Sequence, residues 1–373
     1  MDNELFDKDD LTSADPERPG DITQESPEKS GNSAGNEERE AACGDPVDKT
    51  ECGEEGSGTE PDAKPLTPAG VSAGKLRIIL LSVTVLTALA ALLRSLSVLF
   101  FFDADPGYFR QGFLPVLSVV LTGVTFMVIL SLFIVVPNGL PDKKPGGSYG
   151  YFISTFAAFV MAFEAGYRIW RLFDTGFGTV FGKIFARGDA SFVTRADRIS
   201  AVLSLLLPIA SAGAAALFFL RSSSGEKGKP SEKMRSARLI LGIFPALRAI
   251  FGFASLYFDM STVMNGDMKL LSEFALIFLM LFFLTENRME LGGERSTPRA
   301  YLAGALAAFL LSFTTGISAA VGFFAGKIGG EMMIEALFLL VCGLYARMRA
   351  SDYSAFVARI AAKTDVPGEG EKQ

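Results

Sequence analysis

The sequence predicts an all-α fold: a polytopic membrane helical bundle of about eight transmembrane helices, preceded by a disordered acidic N-terminal tail. Three observations carry this expectation. Apolar residues are concentrated in long runs after residue 75 rather than scattered, and Phe alone accounts for 33 positions. Most of the runs approach the ~20 residues that a helix needs to cross about 30 Å of hydrocarbon. Charge is as unevenly divided: residues 1–74 hold 20 Asp or Glu against 6 Lys or Arg, a net −14, while the remainder holds 21 acidic and 29 basic residues, a net +8.

The tail, 1–74, is rich in Glu, Asp, Ser, Pro and Gly, with Phe6 as its one aromatic residue. It cannot bury enough apolar surface to offset the entropy of ordering. It also lacks the basic start and apolar core of a signal peptide. Two readings stay open: a solvated tether, or an arm through which a cytoplasmic protein partner docks, with Thr12, Ser26, Thr50 and Thr59 near acidic residues as modification sites.

The membrane domain is expected over 75–350, with a short polar C-terminal tail at 351–373. Its eight runs are Leu76–Phe102, Gly112–Val136, Phe152–Phe173, Ile199–Leu220, Leu239–Phe258, Leu270–Thr285, Ala300–Gly326 and Met332–Ala346. Lipid offers no partner to an unpaired backbone group, so each must be helical. The alternating ten-residue strands of a barrel are missing. The first, third and fifth runs each end in Phe-Asp (102–103, 173–174, 258–259) and each carries an arginine before that end; the runs pair as four hairpins, a hint of internal duplication. After the third run, GFGTVFGKIFARG puts Phe177, Val180, Phe181, Ile184 and Phe185 on one helical face. That pattern suits a helix in the interface plane or one packed on the bundle. In the seventh run Gly322 and Gly326, four apart, suit close helix packing. The loop Phe258–Lys269 is rich in hydrogen-bonding side chains, and Asn265-Gly266 signals a turn.

If every run crosses, 18 Lys or Arg flank one side and 8 the other. Cytoplasmic loops are the basic ones, so both termini are expected inside. The layout is that of a multi-pass protein of a bacterial cytoplasmic membrane.

Ionisable residues inside the runs are the candidate functional residues. Arg248 and Glu164 sit near the middle of their helices, and Arg94, Arg168, Glu273 and Glu335 lie one to one and a half turns outward. An ion facing lipid costs about 2.5–3.5 kcal/mol by insertion scales, so these six should face the interior and pair. Glu164 and Arg168, four apart, can pair within one helix; Arg94 and Arg248 would look to Glu273 and Glu335. Pro245 removes a backbone N–H three residues before Arg248 and should kink the fifth helix. The layer is either an outward-facing polar cavity for a small charged solute or a set of self-neutralised pairs that fix helix register. Glu286 and Arg288, at the inner end of the sixth run, should form rim pairs.

The chain has no histidine, which removes Ser-His hydrolysis and HExxH chemistry. Phosphate-cradling GxxxxGK[ST] is missing too, and Cys43 and Cys52 supply too few ligands for zinc. Cys342, inside the eighth run, should pack as a small apolar residue. No enzyme, cofactor, metal or nucleic-acid partner is expected; the partners are the lipid bilayer, a possible cytoplasmic protein and a small charged solute. The leading functional expectation is a carrier or permease-like protein, and the alternative is a membrane scaffold or sensor.

Overall fold

The computed structural model describes residues 73–103, 108–135, 149–185, 194–223, 232–259, 266–291 and 298–364. The acidic arm up to residue 72 lies outside them, as do Lys143, Lys144, Arg187, Lys229 and the loop stretch 260–265. Helix α1 (Ala73–Phe101) leads into an antiparallel ribbon of β1 (Phe102–Asp103) and β2 (Tyr108–Phe109), with Phe102 opposite Phe109. Next come α2 (Phe113–Leu130), the single turn α3 (Leu132–Val135), α4 (Tyr149–Thr175), α5 (Phe177–Phe185) and α6 (Arg195–Ser223). Helices α7 (Glu232–Leu241), α8 (Phe244–Phe258), α9 (Asp267–Leu291), α10 (Pro298–Phe324) and α11 (Gly330–Thr364) complete the bundle.

Seven of the described helical segments are long and apolar enough to cross a membrane: Gly74–Phe101, Phe113–Ile134, Phe152–Thr175, Arg195–Ser223, Ser236–Phe258, Asp267–Glu290 and Pro298–Phe324. The third run is among them. The eighth run lies in α11, where Glu331, Glu335, Arg347 and Arg349 interrupt the apolar stretch. That helix continues to Thr364, beyond the boundary at 350 expected from composition.

Consecutive spans pack as hairpins, α1 on α2, α4 on α6, α8 on α9 and α10 on α11. Helix α10 also touches α1, α2 and α9, while α11 reaches α4. The centre therefore belongs to α10, whose apolar window is 72% buried, against 22% for α2. Small residues make this possible. Gly316 lies against the Ala336 carbonyl and Leu340, and Gly343 stands against Ser312, so α10 and α11 approach closely. On outer helices the exposed large residues recur at helical spacing: Ile78, Leu81, Val85, Leu89 and Leu92 on α1, and Phe152, Phe156, Phe159 and Phe163 on α4. Such apolar faces suit acyl chains rather than water.

The bundle has two ends. At the first, where α1 begins, Arg347 of α11 donates to Thr84 Oγ1 at 2.6 Å and to the Leu80 carbonyl at 3.5 Å. At the second, where α1 finishes, Lys327 Nζ donates to the carbonyls of Val98, Leu99 and Phe102 at 3.0, 2.8 and 3.0 Å. This cation satisfies the orphan carbonyls of a helix C-terminus. Gly326, at φ +69°, makes the turn that delivers it.

The kink expected at Pro245 is instead a break before it. Gly242 and Ile243 separate α7 from α8, and Pro245 falls in the first turn of α8, where its missing N–H costs little. A Cβ on Gly242 would meet the Asn287 side chain of α9.

Candidate functional site

Helices α4, α8 and α11 each bring ionisable side chains to one buried point. From α4, Glu164 and Arg168 lie one turn apart and pair through Arg168 Nε and Glu164 Oε1 at 2.8 Å. From α8, Arg248 donates Nε to the same Glu164 Oε1 at 2.8 Å and Nη2 to Glu335 Oε2 of α11 at 2.6 Å. Arg168 Nη2 closes the circuit on Glu335 Oε2 at 3.3 Å. Two guanidinium groups thus share two carboxylates, and the cluster is neutral with all four ionised. Arg248 is 0% exposed, and its guanidinium carbon lies 4.1 Å from the centre of the Phe338 ring. A buried cation of this kind is tolerable only with such partners.

The geometry leaves a residue of unused capacity. Each carboxylate offers one oxygen to both arginines, while Glu164 Oε2, Glu335 Oε1 and Arg248 Nη1 are buried without a hydrogen-bond partner. Gly252 makes room here, since a Cβ at that position would meet Arg248 Nη1 and stand 3.2 Å from Glu335 Oε1.

A cleft of about 270 Å³ opens beside the cluster toward the second end, walled by α4, α5, α6, α8 and α11. Arg168, Arg171 and Lys183 line it, together with Asp197 and Glu331 and the hydroxyl-bearing residues Tyr167, Thr175, Ser200, Ser204 and Ser255. Arg171 pairs with Glu331 across the cleft. Asp197 accepts from the backbone N–H of Thr194 at 3.0 Å and its hydroxyl at 2.6 Å, while Asp197 N–H donates back to Thr194 Oγ1 at 3.2 Å, a capping box at the start of α6. Arg168 belongs to both places: it walls the cleft, 23% of its side chain is exposed, and it holds two buried carboxylates. Helix α5 roofs one side. Val180 and Ile184 pack on Leu172, Ala201 and Leu205, and Phe181 and Phe185 stay exposed.

The six residues singled out by sequence do not form one group. Glu164, Arg168, Arg248 and Glu335 come together; Arg94 and Glu273 lie apart from them. Arg94 stacks over Phe109 at 4.2 Å and donates to the Asp267 carbonyl at 3.4 Å, so its partners are the ribbon and the start of α9. Glu273 is partly exposed on α9 and joins neither group.

A second buried cluster sits at the first end, where sequence reasoning expected rim pairs. Glu286 is 2% exposed. Its Oε1 accepts from Tyr345 Oη at 2.8 Å and Arg349 Nε at 2.9 Å, and its Oε2 from Arg221 Nη1 at 3.2 Å. Arg221 also donates to Tyr345 Oη at 2.6 Å and to Glu290 Oε1 at 2.9 Å. Arg349 reaches Asp352 at 3.4 Å. The signal available in the sequence was spacing: Glu286 and Glu290 are one turn apart, and so are Tyr345 and Arg349.

Among the described residues no group of three or more Cys, Asp or Glu is placed to hold a metal ion. Comparison with protein-family models, with curated proteins and with solved structures found no match.

Proposed function

We propose that this protein is a carrier of small charged solutes in a cell membrane, with the cleft between α4, α6 and α11 as its entrance and the Glu164–Arg168–Arg248–Glu335 cluster as its floor. One observation carries the reading: Arg168 is at once a wall of the cleft and a member of the buried cluster. A ligand that takes its Nη2 competes with the contact that joins α4 to Glu335 of α11. A charged side chain reaching into a cleft is the kind of group that fixes a small ligand's orientation. Arg168 is the buried cluster's one guanidinium that reaches the cleft, so a small anion is the guest it would engage. The buried cluster at the opposite end closes the bundle there. On this reading the cleft faces outward across a bacterial cytoplasmic membrane and both termini lie inside, as the basic bias of the loops suggests.

Thermal denaturation of the purified protein in small carboxylates, nitrate, phosphate and simple cations tests this. Anions should raise the melting temperature of the parent and leave Arg168→Gln unmoved, since a ligand stabilises only the state that binds it. A parent indifferent to every anion would sink the proposal.

The neutrality of the cluster favours a second reading, a scaffold or sensor in which these charges only lock the helices. Under it, the double variant Glu164→Gln, Arg168→Met melts with the parent and neither protein responds to anions.

A further inference from the structure

We infer that the site takes a small monovalent oxyanion together with a proton, the oxyanion on Arg168 and the proton on the Glu164–Glu335 pair. The inference rests on the carrier reading and adds its coupling ion.

Of the two arginines, only Arg168 is within reach of a ligand. Arg248 is wholly buried, bonded to both carboxylates and covered by Phe338. Arg168 faces the cleft, and its bond to Glu335, at 3.3 Å, is the longest in the cluster. An oxyanion that accepts from Arg168 Nε and Nη2 takes those donors from Glu164 Oε1 and Glu335 Oε2. Two carboxylates then share one guanidinium, and the buried group carries a net negative charge. One proton on either carboxylate returns that buried group to neutrality. The vacant acceptors are already in place, for Glu164 Oε2 and Glu335 Oε1 are the oxygens without partners.

The step balances. Two Arg168 N–H bonds to carboxylate are exchanged for two to the oxyanion, one O–H bond forms on a carboxylate, and its proton is drawn from the buffer acid in the bulk solvent, which is left as its conjugate base. The loaded site carries the same charge as the empty one, as a group buried in a membrane requires.

The charged and titratable groups around the pair and its cleft come from α4, α5, α6, α8 and α11, with Tyr167 of α4 among them. Helix α4 supplies Arg168, with Arg171 one turn nearer the mouth and already paired with Glu331. Helix α8 supplies Arg248, and α11 supplies Glu331 and the buried Cys342. Helix α6 presents Asp197, which Thr194 holds at the mouth, with the uncharged Ser200, Ser204 and Leu207; α5 presents Lys183; and α9 presents the uncharged Leu276 to Gly252.

Nitrate and acetate are the probes, nitrate because it brings no proton of its own. Each is added to the purified full chain in weakly buffered detergent with a pH indicator, while binding is followed by calorimetry. The expected result is about one proton taken up per nitrate bound, and an affinity that falls about tenfold per pH unit where the pair is unprotonated. In Glu335→Gln the protons taken up per nitrate bound should fall to none and the pH dependence of the affinity should vanish; Glu164→Gln serves the same purpose if that variant does not fold. Nitrate binding to the parent without proton uptake overturns the coupling and leaves the carrier reading standing. Failure of both anions to bind overturns this inference, and the carrier reading falls with it if the parent is also indifferent to the other anions of the melting series.

Discussion

Gly252 decides whether the buried cluster fits. The Arg248 guanidinium next to it is not a free side-chain tip, since both Glu164 and Glu335 hold it. A methyl group there must displace a pinned cation. Gly252→Ala is therefore expected to cost about 1–3 kcal/mol, the range for overpacking, read as a lower midpoint in a thermal or denaturant melt. Arg248→Met should cost more, about 3–5 kcal/mol, because it leaves two carboxylates facing Arg168 alone. Adding Glu335→Gln to Arg248→Met should recover a good part of that loss, and a double variant no better than the single would refute the pairing. The sequence made Arg248 legible because an arginine that deep in an apolar run cannot snorkel to water. It did not reveal the partner of Arg94, since the rotation of one helix against another has no trace in a single run. Phe109, which that guanidinium covers, belongs to a ribbon too short to announce itself by periodicity.

At the level of elements, α11 shows why hydropathy undervalues a central helix. Its apolar stretch is bounded by Glu335 on one side and Arg347 and Arg349 on the other, yet the helix runs 35 residues unbroken. Those charges contact protein instead of lipid: Glu335 meets Arg168 and Arg248, Arg347 meets Thr84, and Arg349 meets Glu286. Tyr345 joins the same helix to α6 and α9, accepting from Arg221 and donating to Glu286. Tyr345→Phe removes both bonds without changing the packing volume much. Hydrogen bonds to charged groups contribute about 1.5–3 kcal/mol each, so a clear drop in melting temperature is expected, with anion binding at the other end retained. A variant as stable as the parent would mean that the hydroxyl is idle. This cluster escaped sequence reading because Glu286 stands at the end of an apolar run beside Arg288, where solvent exposure is the ordinary expectation. The existence of the helices was plain from their runs. The break at Gly242–Ile243 was displaced from the proline that signalled it, because Pro245 is better accommodated as a helix start than as a kink.

For the whole molecule, the decisive quantity is the number of crossings between the α5–α6 connection and the α6–α7 connection. Helix α6 has 29 residues, with Arg195, Asp197 and Arg198 in its first turns and Arg221 near its far end. At about 1.5 Å per residue it outreaches the hydrocarbon core. Its ends belong to different clusters: Asp197 and Ser204 line the cleft at one end, and Arg221 meets Glu286 and Glu290 at the other. Cysteines at Arg187 and at Lys229, in a background without Cys43, Cys52 and Cys342, should therefore react with a membrane-impermeant reagent from opposite sides. Under the proposed orientation, with the basic loop 221–238 inside, Lys229 should react from the cytoplasmic side. If both react from the same side, α6 lies in the interface instead of crossing. The cleft and the first-end cluster would then share one surface, and no solute could pass between them. If they react from opposite sides but Lys229 from outside, the crossings stand and the cleft opens inward, so the same proton and anion chemistry would work in export.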